Sequence, residues 1–206
     1  FAGALRHIAL DSGGAIQVID MALQACPFTA DLIDRAALTP PTCDARKRNV
    51  VDTINKMKPT VVIVANLYLL GRVVGGNRDM SPGEWSDSQR RIIGEIRPSI
   101  GKVVFLSGPP GRVDIKDCFG QRSNIPADCI GKVSRDWNDM ASAERQLASS
   151  MAGVWIDSRP WFCDAGLCPS FAGVTATKSD KWHMSPAYGE KIYPVMDETF
   201  RAAGVY

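Results

Sequence analysis

This chain has no apolar run approaching the ~20 residues of a membrane-spanning helix, so no segment of it reads as a span. Residues 1–30 lack a basic start followed by an apolar stretch, and no signal peptide is read there. Basic runs are scarce too. The net charge is only +2, and Arg46-Lys47-Arg48 is too short for a nucleic-acid footprint; it reads as a solvated helix face. Repeats, linkers and low-complexity segments are absent, which leaves the 206 residues as a single domain with a sizeable core. Gly108-Pro109-Pro110-Gly111 lacks the Lys-Ser/Thr that would meet phosphate and metal, so it is no phosphate loop. Histidine is scarce, with two in the chain. His7 sits on an opening helix with no acidic partner at useful spacing and reads as structural.

What is present begins with six cysteines. They fall as near neighbours: Cys26 and Cys43, Cys118 and Cys129, Cys163 and Cys168. Close pairs in even number suit disulfides and an oxidising compartment. Zinc is the competing reading; it favours C-x-x-C or nearby Cys and His ligands, and neither is found. Disulfides without an export signal imply that an export element was cut away, or that the domain follows a membrane segment outside this chain.

The second feature is Ser179-Asp180-Lys181-Trp182-His183-Met184-Ser185-Pro186. Three positions separate a carboxylate from an imidazole. In a loop before a helix, Asp180 can reach one ring nitrogen of His183, fixing the tautomer and stabilising the imidazolium. The other nitrogen then stays free to take a proton from a hydroxyl nucleophile. Equally, Asp180 and Ser185 can be plain caps with His183 incidental, since a bare D-x-x-H is common.

Read in order, Phe1 to Leu10 is an amphipathic helix (Phe1, Leu5, Ile8, Ala9) ended by Gly13-Gly14. Ala15 to Leu23 reads as a strand, closed by Cys26-Pro27. Residues 29–43 are a loop with Pro40-Pro41. Asp44 opens a helix to about Lys58. Thr60 to Ala65 is a continuous β-branched run, as in a parallel strand covered on both faces. A helix spans Glu84 to Ile96, and a second buried strand Lys102 to Leu106. Residues 111–133 form an excursion held by Cys118 and Cys129. Ser134 caps a helix to about Met151, and Gly153 to Asp157 is a last short strand. Residues 158–182 are a loop carrying the third cysteine pair. Pro186 to Ala203 is the closing helix, with Pro194 expected to kink or interrupt it. Alternating strands and helices of this length imply an open parallel sheet with helices on both faces. Its site should lie off the carboxyl ends of the strands, where Asn66 and Asp180-x-x-His183 are expected to converge.

These elements resemble the SGNH hydrolase superfamily, and more narrowly the SGNH domain fused behind acyltransferase-3 membrane bundles in bacterial cell-envelope O-acyltransferases. The resemblance runs over nearly the whole chain. It rests on Ala25-Cys26-Pro27-Phe28, Cys43, Lys58-Pro59-Thr60-Val61-Val62-Ile63, Trp161-Phe162-Cys163 with Leu167-Cys168-Pro169, and Asp180-x-x-His183-Met184-Ser185. It implies a flavodoxin-like three-layer α/β/α sandwich and a Ser-His-Asp triad, without a cofactor. His183 would be the general base, Asp180 its orienter and Asn66 the oxyanion-hole donor, although Asn66 can equally be a strand-end turn residue. The acyl donor would come from a membrane acyltransferase-3 domain upstream in the same polypeptide, and the acceptor would be a cell-envelope glycan outside the cytoplasm.

The departures are informative. The family's first block, Gly-Asp-Ser at the end of the first strand, is missing, and Phe1 to Leu10 resembles the helix that follows it. The expectation is that the first strand and the nucleophile lie upstream of Phe1, so that residues 1–206 are an N-terminally truncated domain. The second-block Gly is not visible either; residues 25–28 take its place. Asp11-Ser12-Gly13-Gly14 could imitate a nucleophile block, but the helical register places Ser12 at a helix C-terminus. Two functions remain: an acyl-transfer enzyme, or a non-catalytic glycan-binding or docking domain serving a membrane acyltransferase.

Overall fold

The computed structural model describes residues 1–34, 41–120 and 122–206. Three parallel strands form its central sheet: β1 (Val61–Val64), β2 (Lys102–Leu106) and β3 (Val154–Ile156), with β2 in the middle. The register pairs Val62 with Val103 and Val64 with Phe105 on one side, and Phe105 with Trp155 on the other. Side chains alternate between two cores. Val62, Val64, Val103, Phe105 and Trp155 face one layer, while Val61, Ile63, Val104, Leu106, Val154 and Ile156 face the other. This alternation on a sheet covered twice is why the strands read as unbroken apolar runs.

The first layer holds α2 (Cys43–Met57), α3 (Pro82–Ile96) and α4 (Arg135–Ser150); the second holds α1 (Ala2–Asp11) and α5 (Pro186–Ala202). Helix ends follow local chemistry. Ser81 accepts from the Glu84 N–H while the Glu84 carboxylate accepts from the Ser81 N–H, so this capping box starts α3 at Pro82, two residues before the expected Glu84. Lys58 closes α2 in the left-handed region, with φ 50°. Ser134 and Ser185 cap α4 and α5. Helix α5 runs unbroken through Pro194, against the expected interruption. Gly189 lets α5 approach α1: a Cβ there would lie 3.2 Å from the Met184 side chain and 3.7 Å from the Ala4 nitrogen. None of the helices among the described residues is long and apolar enough to cross a membrane.

The cysteines pair as Cys26–Cys43, Cys118–Cys129 and Cys163–Cys168, which removes them as zinc ligands. Of the expected 29–43 loop, residues 35–40 lie outside the described residues.

Two expectations are corrected. Ala15–Leu23 is not a strand: it makes no ladder. Ile16 packs in the α1/α5 core, whereas Met21 and Leu23 pack in the α2/α3 core, and Val18 and Ile19 are exposed. A segment whose apolar residues serve both layers passes around the sheet rather than lying within it. Its far end is held by Arg46, which donates to the Ala22 and Gln24 carbonyls.

The basic triplet is not a solvated face either. Lys47 is fully buried, and its ammonium donates to the carbonyls of Thr29 (2.8 Å) and Asp31 (3.1 Å). Burial pushes the Lys47 amine down, against the opposing charge of Asp44. Only Arg48, paired with Glu95, behaves as a surface charge.

Candidate active site

Beyond the carboxyl ends of the strands, the chain from Lys178 to Met184 closes a tight loop. Lys178 and Met184 form an antiparallel bridge, and the Ser179 N–H donates to the His183 carbonyl at 2.8 Å. Asp180 organises this loop with both oxygens. Its Oδ1 accepts from the backbone N–H groups of Trp182 (2.7 Å) and His183 (2.8 Å), the local turn that Asp side chains favour. Its Oδ2 lies 2.8 Å from His183 Nδ1. One carboxylate therefore holds the turn and the ring together. The His183 side chain is 63% exposed, so Nε2 can be approached from outside. Partial burial works against ionisation of Asp180, but the bonds from the His183 ring and the two backbone N–H groups outweigh it and hold the carboxyl below its ordinary range. Asp180 therefore stays charged at neutral pH, as needed to stabilise an imidazolium. Ser185, immediately downstream, donates to the Ala176 carbonyl and caps α5.

Asn66 sits just past the end of β1 and is 8% exposed. Its Oδ1 accepts from the Phe28 N–H at 3.0 Å, while its buried Nδ2 has no protein partner. The side chain is thus anchored by its oxygen with both amide hydrogens uncommitted. Residues 108–112 link Asn66 to the histidine loop. Gly108 lies against the Asn66–Tyr68 backbone. The Lys178 ammonium donates to the Pro110 carbonyl at 3.0 Å, and burial pushes that amine down to about 8, with Asp180 opposing. Arg112 donates to the Tyr68 carbonyl at 2.6 Å, and its guanidinium stands 4.8 Å from the centre of the Trp182 ring. At Gly111, φ is +70° and a Cβ would lie 2.5 Å from Cys168 Cβ, so only glycine lets this segment cross the third disulfide.

Three serines elsewhere in the chain are committed by their own hydrogen bonds. Ser12 is the C-cap of α1; its hydroxyl donates to the Ala9 carbonyl and accepts from the Ile16 N–H, as the helical register required. Ser107 and Ser158 are buried, with their hydroxyls 3.0 Å apart. His7 stacks on Tyr193 of α5 and takes no part in the site.

Lys178, Arg112, Trp182, Tyr68 and the buried Glu144 beneath Tyr68 were not anticipated. The last had a visible signal: Glu144 stands within the apolar stripe Trp137, Met140, Ala141, Leu147 and Ala148 of α4.

An open parallel sheet between helical layers, with Asp180 held against His183 beyond its strand ends, defines an α/β protein with its candidate site in the usual place for such sheets. The sequence model of SGNH domains fused to AT3 domains matches residues 1–198, and this chain belongs to that family. Among solved structures it is similar to the periplasmic domain of a lipopolysaccharide acetyltransferase from Salmonella ser. Paratyphi A. That match has a TM-score of 0.73 at 13% identity and covers 99% of this chain and 78% of the other. It is also similar to a putative arylesterase from Agrobacterium tumefaciens (TM-score 0.55, 16% identity, 98% and 85% covered). The inhibitor-bound aryl esterase of M. smegmatis matches with TM-score 0.58 at 15% identity, covering 95% and 83%. At identities this low the likeness establishes the shared SGNH-hydrolase fold alone. No curated protein matches the sequence.

Proposed function

We propose that this domain carries out O-acyl transfer to a cell-envelope glycan, or ester hydrolysis from one, outside the cytoplasm. The observation that carries the reading is the Asp180 Oδ2–His183 Nδ1 contact of 2.8 Å with the Nε2 side exposed. The nucleophile is a serine upstream of Phe1. Its hydroxyl gives a proton to His183 Nε2 as its oxygen attacks the acyl carbonyl. The carbonyl oxygen becomes an oxyanion that accepts from Asn66 Nδ2. Collapse breaks the bond to the donor, whose leaving oxygen or sulfur takes the proton from His183. A sugar hydroxyl, or water, then repeats the sequence on the acyl-serine and frees the enzyme. The acyl donor is delivered by the membrane acyltransferase-3 domain of the same polypeptide. Oxidised cysteine pairs, the family's fusion to AT3 domains and the periplasmic setting of the Salmonella neighbour support the extracytoplasmic location.

An oxyanion donor acts mainly in the transition state. Asn66→Ala is therefore expected to lower kcat by about 10²–10³-fold, with little change in KM. A change confined to KM would make Asn66 a substrate-positioning or structural residue.

A second reading, a non-catalytic glycan-binding or docking domain, is favoured by the engagement of Ser12, Ser107 and Ser158. An esterase assay separates the two. It compares residues 1–206 with the same chain extended upstream by about 30 residues, enough for one strand and its turn. Activity is expected only in the extended chain, and Ser12→Ala should be silent in it. Activity of the short chain that vanishes with Ser12→Ala would move the nucleophile to Asp11-Ser12-Gly13.

A further inference from the structure

Glu144 is 1% exposed on the inner face of α4. Its Oε2 accepts from the Tyr68 hydroxyl and from the Trp155 indole N–H, the latter at 3.2 Å, while its Oε1 has no hydrogen-bond partner. Buried carboxylates are ordinarily paired with a cation. This one is not: the groups acting on it are Tyr68 from the segment after β1, Trp155 from β3 and Gln89 from α3, none of them basic. Arg145, on the same helix, stands over the Trp155 ring, and Asp157 and its partner Arg159 act on Tyr68.

Tyr68 is the residue through which this carboxylate reaches the site. It lies two positions after Asn66 on the same strand-end segment. Its ring packs on Trp137, whose indole N–H donates to the Gly108 carbonyl at 2.9 Å. Its own carbonyl holds Arg112 against Trp182, the neighbour of His183. One buried hydroxyl thus ties the oxyanion segment and the histidine loop to one buried carboxylate.

We propose that Glu144 is a positioning residue: through the Tyr68 hydroxyl it sets the segment that presents Asn66 and holds Arg112 against Trp182 of the histidine loop. A bare structural anchor would be served as well by a neutral acceptor, and no cation among the described residues pairs with this carboxylate. Burial pushes the Glu144 carboxyl up to about 7, against the bonds from Tyr68 and Trp155 and the nearby Gln89 amide, so its charge changes near neutral pH. Tyr68 is pushed well above its ordinary range, first by burial and then by the Glu144 charge, and remains a donor throughout. Protonation of Glu144 therefore changes the strength of the Tyr68 bond without removing it, and the Asn66 segment feels the change.

The catalytic part of this inference rests on the proposed acyl-transfer reading; the coupling itself is tested without activity. In the 206-residue chain, NMR of the Trp155 indole N–H and the Asn66 side-chain amide is followed from pH 5 to 9. Both signals are expected to titrate together near pH 7 in the native chain, in His183→Ala and in Lys178→Met, the last removing the buried amine near the same segment, which is pushed down to about 8. Glu144→Gln should abolish both titrations, and Tyr68→Phe should keep that of Trp155 and lose that of Asn66. In the extended chain, Tyr68→Phe is expected to lower kcat roughly tenfold to a hundredfold with KM within about twofold, as for a displaced catalytic group. An Asn66 signal that stays flat while Trp155 titrates, or that still titrates in Glu144→Gln or Tyr68→Phe, overturns the coupling. If the extended chain proves inactive, the acyl-transfer reading fails while the NMR arms still decide the coupling.

Discussion

In the chain extended upstream, His183→Ala is expected to lower acyl transfer by roughly 10³–10⁴-fold while leaving the fold intact. The fold should survive because the His183 side chain is 63% exposed and the turn is held by Asp180 Oδ1 through backbone N–H groups, which alanine retains. Asp180→Asn should fall by a similar factor, about 10⁴-fold, for a different reason. An amide can keep accepting from the two N–H groups, but the atom facing Nδ1 becomes a donor. That forces the proton of the ring onto Nε2, where the base must be free. Near-native turnover of an activated ester by His183→Ala would remove His183 from the chemistry and overturn the triad assignment. Circular dichroism of the two variants separates lost chemistry from lost structure.

The second large effect concerns stability. Lys47→Met is expected to cost about 1–3 kcal/mol, because it leaves the buried Thr29 carbonyl without a donor, whereas the Asp31 carbonyl keeps the Thr29 hydroxyl. Arg48→Met, one residue on, removes only an exposed pair with Glu95 and should cost about 0–1 kcal/mol. Urea unfolding of the oxidised protein measures both. Equal costs would mean that the Lys47 site is wetted and its carbonyls find water. The consequence extends to the site, since the segment that Lys47 holds leads back to Phe28, whose N–H anchors Asn66. A less stable 28–31 segment should therefore also loosen the Asn66 side chain.

Lys47 also shows why parts of this molecule could not be read from sequence. It stands in the buried face of α2 with Cys43, Val50, Val51 and Ile54, but flanking arginines made the triplet look like surface. Glu144 has the same signature on α4. In both helices a charged residue at a core position of the 3.6-residue period marks a buried polar anchor, and the signal lies in the position rather than in the residue. The three sheet strands were legible because short apolar runs rich in β-branched residues, bounded by turn residues, suit strands buried on both faces. Ala15–Leu23 was not, because apolar residues in near alternation suit a strand and a crossing between two cores equally well; only neighbours decide. Asp180-x-x-His183 was legible as a pair because its contact is local. The Arg112–Trp182 contact was not, since it joins the disulfide-held excursion to the histidine loop across 70 residues of sequence.

In the proposed mechanism, Asp180 and His183 serve a serine upstream of Phe1. This assignment is tested most directly by treating the extended chain with a fluorophosphonate, which forms a covalent bond to an activated serine oxygen as fluoride leaves. The labelled peptide is then mapped by mass spectrometry. A single adduct is expected on a serine upstream of Phe1, and it should be lost in His183→Ala. Absence of any adduct, or an adduct on Ser12 or another serine within residues 1–206, would contradict the assignment.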